Sequence, residues 1–234
     1  MGSIQKHLSR LAMPKSWKIK KKGIKYVTRP LPGPHSIKSG MPLNLIFINM
    51  LSYAKTNKEV KRILNNQEIL VDGIRRKEPR FIAGLMDVLS IPKTKESFRI
   101  VLDKKGYLSL KKIDEKEAKI KVCKIIGKNA VKKKVQLNLY DGKNILVDKG
   151  DYKVGDSIVI EIPSKKIVDH LKFEKGNSIF LTAGKRVGAI AKLQEIQESK
   201  IVFKNSSGKE NITLKKYAFV VGKEKPVIDI EVKE

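Results

Sequence analysis

The chain has 234 residues, with 51 Lys and Arg against 24 Asp and Glu, a formal net charge of +27, and 41% hydrophobic residues. That length and apolar content suffice for one large or two to three small packed units, but so large a charge disfavours compaction unless a polyanion neutralises it, which implies nucleic acid or an anionic membrane. The membrane is disfavoured: the longest apolar run, Leu43 to Leu51, is interrupted by Asn44 and Asn49 and is about half of the roughly 20 residues a span needs, and no secretory apolar region follows Met1. The single Cys123 excludes an internal disulfide and a multi-cysteine zinc site, reads as a small buried apolar residue, and suits a reducing cytoplasm.

Residues 1–42 form a basic extension. Ten Lys and Arg lie between Lys6 and Lys38 with no Asp or Glu. Leu8, Leu11, Ile19, Ile24 and Val27 are too few, and too broken by Pro14, Pro30, Pro32 and Pro34, to build a core, so the extension is expected to order only on RNA. Its candidate contacts are Lys6, Arg10, Lys15, Lys18, Lys20, Lys21, Lys22, Lys25 and Arg29, with Trp17, Tyr26, His7 and His35 available to stack on unpaired bases. For Trp17, packing onto the globular body is an equal alternative.

Residues 43–106 read as a compact α+β unit. The segment LNLIFINMLSYAK has helical length, with Pro42 near its first turn. Thr56 and Glu59 have capping-box spacing and start a second helix, on which Val60, Ile63 and Leu64 make an apolar stripe and Lys58, Lys61 and Arg62 a basic face. In ILVDGI, Asp72-Gly73 predicts a tight hairpin turn, followed at once by Arg75, Arg76, Lys77 and Arg80. If the hairpin returns across the helices, these cations share one RNA-facing surface; otherwise they are two independent solvated charge runs.

The remainder is mostly strand-like, and no long helix-period segment follows about residue 125. The β-rich runs after Asp87 are separated by PKTKE and DKKG, and Asp114 can cap one short helix. A central β region spans 107–173, with a hairpin expected at Asp141-Gly142 and a strand in VGDSIVIEI; His170 lies in strand-like apolar context and reads as structural. In 174–222, SIFLT leads through AGKRVG into AIAKLQEI, so that Gly184 and Gly188 flank a turn bearing Lys185 and Arg186, a loop suited to lie against a sugar-phosphate backbone. A phosphate-binding P-loop is rejected, because Arg186 and a strand follow where that motif needs Ser or Thr and a helix. Residues 223–234 read as a tail. The expected fold class is α+β: a small two-helix plus hairpin module followed by small β-barrels.

The pieces KHLSRLAMPKSW, RPLPGPHSI, YAKTNKEVKRIL, FIAGLMDVLSIPKTKESFR, KGNSIFLTAGKRVGAIA and FVVGKEKP together resemble the archaeal and eukaryotic small-subunit ribosomal protein family S4e, over essentially the full chain. The resemblance implies an S4-type RNA-binding module at 43–106, a KOW-type SH3-like barrel at 174–222, and 16S ribosomal RNA and neighbouring small-subunit ribosomal proteins as partners in the cytoplasm. Carried onto this chain, the module's RNA-facing positions fall on Lys58, Lys61, Arg62, Arg75, Arg76 and Arg80, and the characteristic KOW glycine on Gly188. Ala183 stands where a second glycine is expected.

Catalysis is not expected. Three dispersed His and one Cys leave no metal site, and neither a nucleophile elbow nor a dinucleotide fingerprint occurs. Some RNA-modifying enzymes carry the same small module, and pseudouridine synthases use an Asp, but theirs sits on a large extra domain for which this chain has no room; Asp87 reads as structural. No cofactor is expected. The functional alternative is a free-standing regulatory RNA-binding or elongation factor.

Overall fold

In the computed structural model, residues 7–132, 134–148, 150–205 and 208–230 are described; Lys6 lies outside them. Three five-stranded sheets dominate, joined in sequence order and antiparallel throughout. In spatial order the first contains Ile74–Arg75, Leu70–Val71, Val88–Ile91, Glu96–Leu102 and Leu108–Ile113. The second contains Asn144–Val147, Lys134–Leu139, Ile120–Val131, Ser157–Glu161 and Ile167–Leu171. The third contains Glu210–Leu214, Lys200–Asn205, Ile190–Ile196, Ser178–Leu181 and Ala218–Gly222. The helices are short: α1, Leu43–Leu45; α2, Asn57–Asn66; and α3, Glu115–Ala118.

Local chemistry explains the elements of the first unit. In α2, Val60 and Leu64 are fully buried, and the Thr56 hydroxyl accepts from the Glu59 amide at 3.3 Å. The Glu59 carboxylate accepts from Lys55 N at 2.8 Å, one residue earlier than a standard capping box. The Asp72-Gly73 turn has φ of 50° and 71°, the left-handed pair that a two-residue hairpin requires.

Four expectations need correction. The segment from Leu43 is α-helical for only three residues and then widens into a π-helical turn, Ile46–Met50, in which Leu51 N donates to Ile46 O. The Asn49 side-chain amide donates to Leu45 O at 3.2 Å and competes for the carbonyl that a continuing α-helix would use. Leu108–Ile113, assigned to the central region, pairs with Glu96–Leu102 in the first sheet. The DKKG turn holds it there, because the Asp103 carboxylate accepts from Lys105 N and Tyr107 N, both at 2.8 Å.

The extension is not a bare tail. Trp17, Val27 and Met41 belong to the large buried cluster that also contains the first and third sheets' apolar faces. Leu8–Ser9 pairs with Tyr26–Val27, and Gly40–Pro42 with Ile82–Gly84. Its own apolar residues are too few for a core, but the body supplies the other half of the contact. Residues 228–230 also fold back: Ile228 and Ile230 are buried, Asp229 N donates to Glu117 Oε1 at 2.9 Å, and the Asp229 carboxylate pairs with Lys111.

Candidate nucleic-acid interface

The basic face of α2 and the hairpin meet. Lys58, Lys61 and Arg62 are exposed on the side of α2 opposite Val60 and Leu64. Arg75, at the end of the short hairpin, is exposed and its Nη2 donates to Asn65 O at 3.2 Å, at the C-terminal end of the same helix. That contact suits the partial negative charge on the last helical carbonyls and leaves the rest of the guanidinium in solvent. The neighbouring cations diverge in role. Lys77 is exposed, whereas the Arg76 guanidinium stacks 4.3 Å from the Phe81 ring centroid with its Nε buried. Arg80 Nε donates to Arg29 O at 3.1 Å and ties the extension to this unit.

In the extension, Lys15, Lys18, Lys20, Lys21, Lys22 and Lys25 are all exposed. Arg10 instead organises the loop, with Nε donating to Ile24 O and Nη1 to Lys20 O, each at 2.7 Å. Trp17 and His35 are corrected as stacking candidates. Trp17 is buried and donates its indole N–H to Gly40 O at 2.8 Å, so its faces are packed against protein. The His35 side chain is wholly buried, with Nε2 2.9 Å from the Asp87 carboxylate. Tyr26 remains half-exposed, 5.3 Å from the His7 ring and beneath the Lys25 ammonium.

On the third sheet, Gly184, Lys185 and Arg186 are exposed. Gly188 is corrected: at φ +77° its missing Cβ would lie 2.2 Å from Asp103 O, so the close approach that glycine permits is made to protein backbone. The consequence is a second basic cluster, because the turn bearing Lys185 and Arg186 abuts the DKKG turn, where Lys104 and Lys105 are exposed. Sequence reasoning took those two lysines only as turn residues. Nothing local signals that a loop some eighty positions later rests on them.

A buried ionic centre was also missed. Lys121, on the long strand of the second sheet, is 1% exposed at its side chain, and its Nζ donates to Asp72 Oδ2 at 2.7 Å, Asp87 Oδ1 at 2.6 Å and Asp141 Oδ2 at 2.8 Å. Lys143 Nζ adds contacts to Asp72 at 2.5 Å and Asp141 at 3.2 Å. The Asp87 carboxylate further accepts from Gly84 N, and the Asp72 carboxylate from Val88 N. Burial alone would push Asp87 and Asp141 up; the ammonium of Lys121, with His35 at Asp87 and Lys143 at Asp141, outweighs it and holds both below the usual carboxylate range. Burial pulls Lys121 down, but Asp87 and Asp72 outweigh it and raise it well above an ordinary lysine. The three carboxylates lie close enough to chelate a cation, and the cation they hold is an ammonium of the chain. Asp87 is thereby structural, and burial pushes the adjacent Cys123 thiol up, which keeps it an inert apolar group. His170 is likewise structural, bonded to Asp156 at 2.8 Å beside the Tyr152 ring.

The family model "Ribosomal family S4e" matches residues 94–167, and the "RS4NT (NUC023) domain" matches residues 2–38. The chain is 44% identical to the small ribosomal subunit protein eS4 of Methanosphaera stadtmanae, over 98% of this chain and 97% of the relative. It is 40% identical to the protein of that name from Methanococcus maripaludis, over 97% and 98%. The crystal structure of the 30S ribosomal protein S4e from Thermoplasma acidophilum superposes with a TM-score of 0.68 at 29% identity, covering 79% of this chain and 95% of that one. Sequence and superposed fold agree, and this chain belongs to the S4e family, which consists of structural ribosomal proteins and not enzymes.

Proposed function

We propose that the protein is a constituent of the cytoplasmic small ribosomal subunit that binds 16S ribosomal RNA, with the α2–hairpin surface as its anchor. In this reading residues 43–113 are an S4-type RNA-binding module and the third sheet is a KOW-type SH3-like barrel whose basic turn, with the DKKG turn, makes a second contact. The exposed lysines of the extension make a third. The observation that carries it is the Arg75–Asn65 bond, which supports one continuous surface formed by Arg75, Lys58, Lys61 and Arg62. Such cations neutralise phosphates and release counterions, while arginine can also fork onto guanine or stack on unpaired bases. Neighbouring small-subunit proteins would complete the surroundings.

The test is the binding of full-length protein to 16S ribosomal RNA as a function of salt. For about six to ten phosphate contacts, affinity should fall by roughly 10³ to 10⁵ between about 50 and 200 mM salt. A flat response would refute phosphate-dominated binding.

A further inference from the structure

Between the second and third sheets lies a groove of about 630 Å³, in the size range of small-ligand sites. Ile125 and Phe219 are buried at its base, and Ile126 and Val154 stand at its edge, 55% and 56% exposed. Two large aliphatic side chains left in solvent beside one opening are a contact surface without a partner. Three lysines, Lys124, Lys215 and Lys216, line the same groove, and none of the described residues lining it is acidic. Lys124 Nζ donates to Lys216 O at 3.0 Å and to Ala218 O at 2.6 Å, which leaves one of its three protons uncommitted. Burial, reinforced by Lys215, pushes Lys124 down to about 8, so its charge is held at a cost that an anion would remove.

The occupant follows from these groups. It must be anionic to meet a lining whose charged groups are all lysines, with Lys215 also 5.5 Å from the Phe173 ring and Lys216 5.2 Å from the Tyr217 ring, and flat or apolar to cover Ile126 and Val154. A peptide adding as a strand would also need an unbroken row of free main-chain groups, whereas Ile126 stands alone at a β-bulge and several of its neighbours are committed. Lys215 N donates to Ser199 O, Gly155 N to Ile125 O, and Thr182 N to Tyr217 O, while the carbonyls of Lys216 and Ala218 accept from Lys124. A nucleotide needs no such partners, since its base offers a face to apolar side chains and its phosphate a charge to lysine.

We infer that this groove binds one unpaired nucleotide of RNA, its base covering Ile126 and Val154 and its phosphate held by Lys215, Lys216 and the remaining N–H of Lys124. The inference rests on the RNA-binding reading above and adds a site that the basic turns do not supply.

The full chain, methyl-labelled at Ile and Val, is titrated with tetraadenylate, an abasic ribose-phosphate tetramer, inorganic phosphate and hexaglutamate. Tetraadenylate should shift the Ile126 and Val154 methyls through the ring current of the base, and neither the abasic tetramer nor phosphate should. Ile126→Asp, at an exposed position, removes the apolar cover for the base and should weaken tetraadenylate binding by about tenfold, the scale of one lost base contact. Equal methyl shifts with the abasic tetramer, or stronger ones with hexaglutamate, would overturn the inference. Silent methyls in a protein that still binds 16S RNA with a steep salt slope would overturn it alone; failure to bind any RNA would overturn the parent reading as well.

Discussion

Lys121→Met tests what the buried ionic centre contributes. Methionine nearly preserves the volume of the stem, so the cavity contribution is small. What is lost is the ammonium that three buried carboxylates share at 2.6 to 2.8 Å. Lys143 still reaches Asp72 and Asp141, whereas Asp87 retains only His35 and the Gly84 amide. Removing one partner of a buried ionic group costs about 3–5 kcal/mol. At roughly 2–4 °C per kcal/mol for a chain of this size, the melting temperature should fall by about 6–20 °C. Urea unfolding at pH 7 reads the loss directly. Asp87 and Asp141 are depressed in the folded protein, so their contribution is present above the unfolded carboxylate value, about 3.9, and is lost as pH falls below it. In the variant, burial is opposed only by His35 and the Gly84 amide at Asp87 and by Lys143 at Asp141, so both carboxyls rise and their protonation relieves part of the loss. The gap between the two proteins should therefore narrow as pH falls from 7 towards 4. A loss under about 1 kcal/mol at pH 7, or a gap independent of pH, would show that solvent already screens the centre.

Three further outcomes are expected. Arg75→Ala should weaken 16S RNA binding and reduce the salt slope by about 1 while changing stability by no more than about 0.5 kcal/mol, measured by filter binding and thermal melting. Trp17→Ala should destabilise the RNA-free protein by about 3–5 kcal/mol; unchanged urea unfolding would restore the picture of an extension that orders only on RNA. Gly188→Ala, which forces a side chain against Asp103 O and into a left-handed φ, should loosen the junction of the two basic turns, seen as faster amide exchange at Gly106 and Val187.

What the sequence made legible was local. Thr56 and Glu59 cap a helix within one turn, and Asp72-Gly73 closes a hairpin between adjacent residues, so pattern and chemistry coincide over a few positions. The partners of Lys121 lie 49, 34 and 20 positions away, and two of them, Asp72 and Asp141, already had a sufficient explanation as turn residues. Alternation in IKVCKI places Lys121 on the same strand face as Cys123 and Ile125, which was the one available hint of a buried lysine. The docking of the extension is illegible for a related reason: its own apolar residues are too few for a core, and Trp17 finds its partner in Gly40 while Met41 lies against Ala83. For the candidate interface, the sequence shows where charge is concentrated, but which of the cations stay in solvent depends on neighbours such as Phe81 under Arg76 and Ile24 O over Arg10.

The return of residues 228–230 onto Lys111 and Glu117 bears on synthesis. Glu117 and Asp229 are separated by 112 positions. A growing polypeptide that has emerged through its first sheet therefore presents an outer strand whose Lys111 does not yet have its partner Asp229. Domains form as they leave the exit channel, at about 5–20 residues per second, so this contact waits about 6 to 22 seconds. During that interval Lys111 and Glu117 lack the Asp229 contacts that tie the end of the chain to the first sheet and α3.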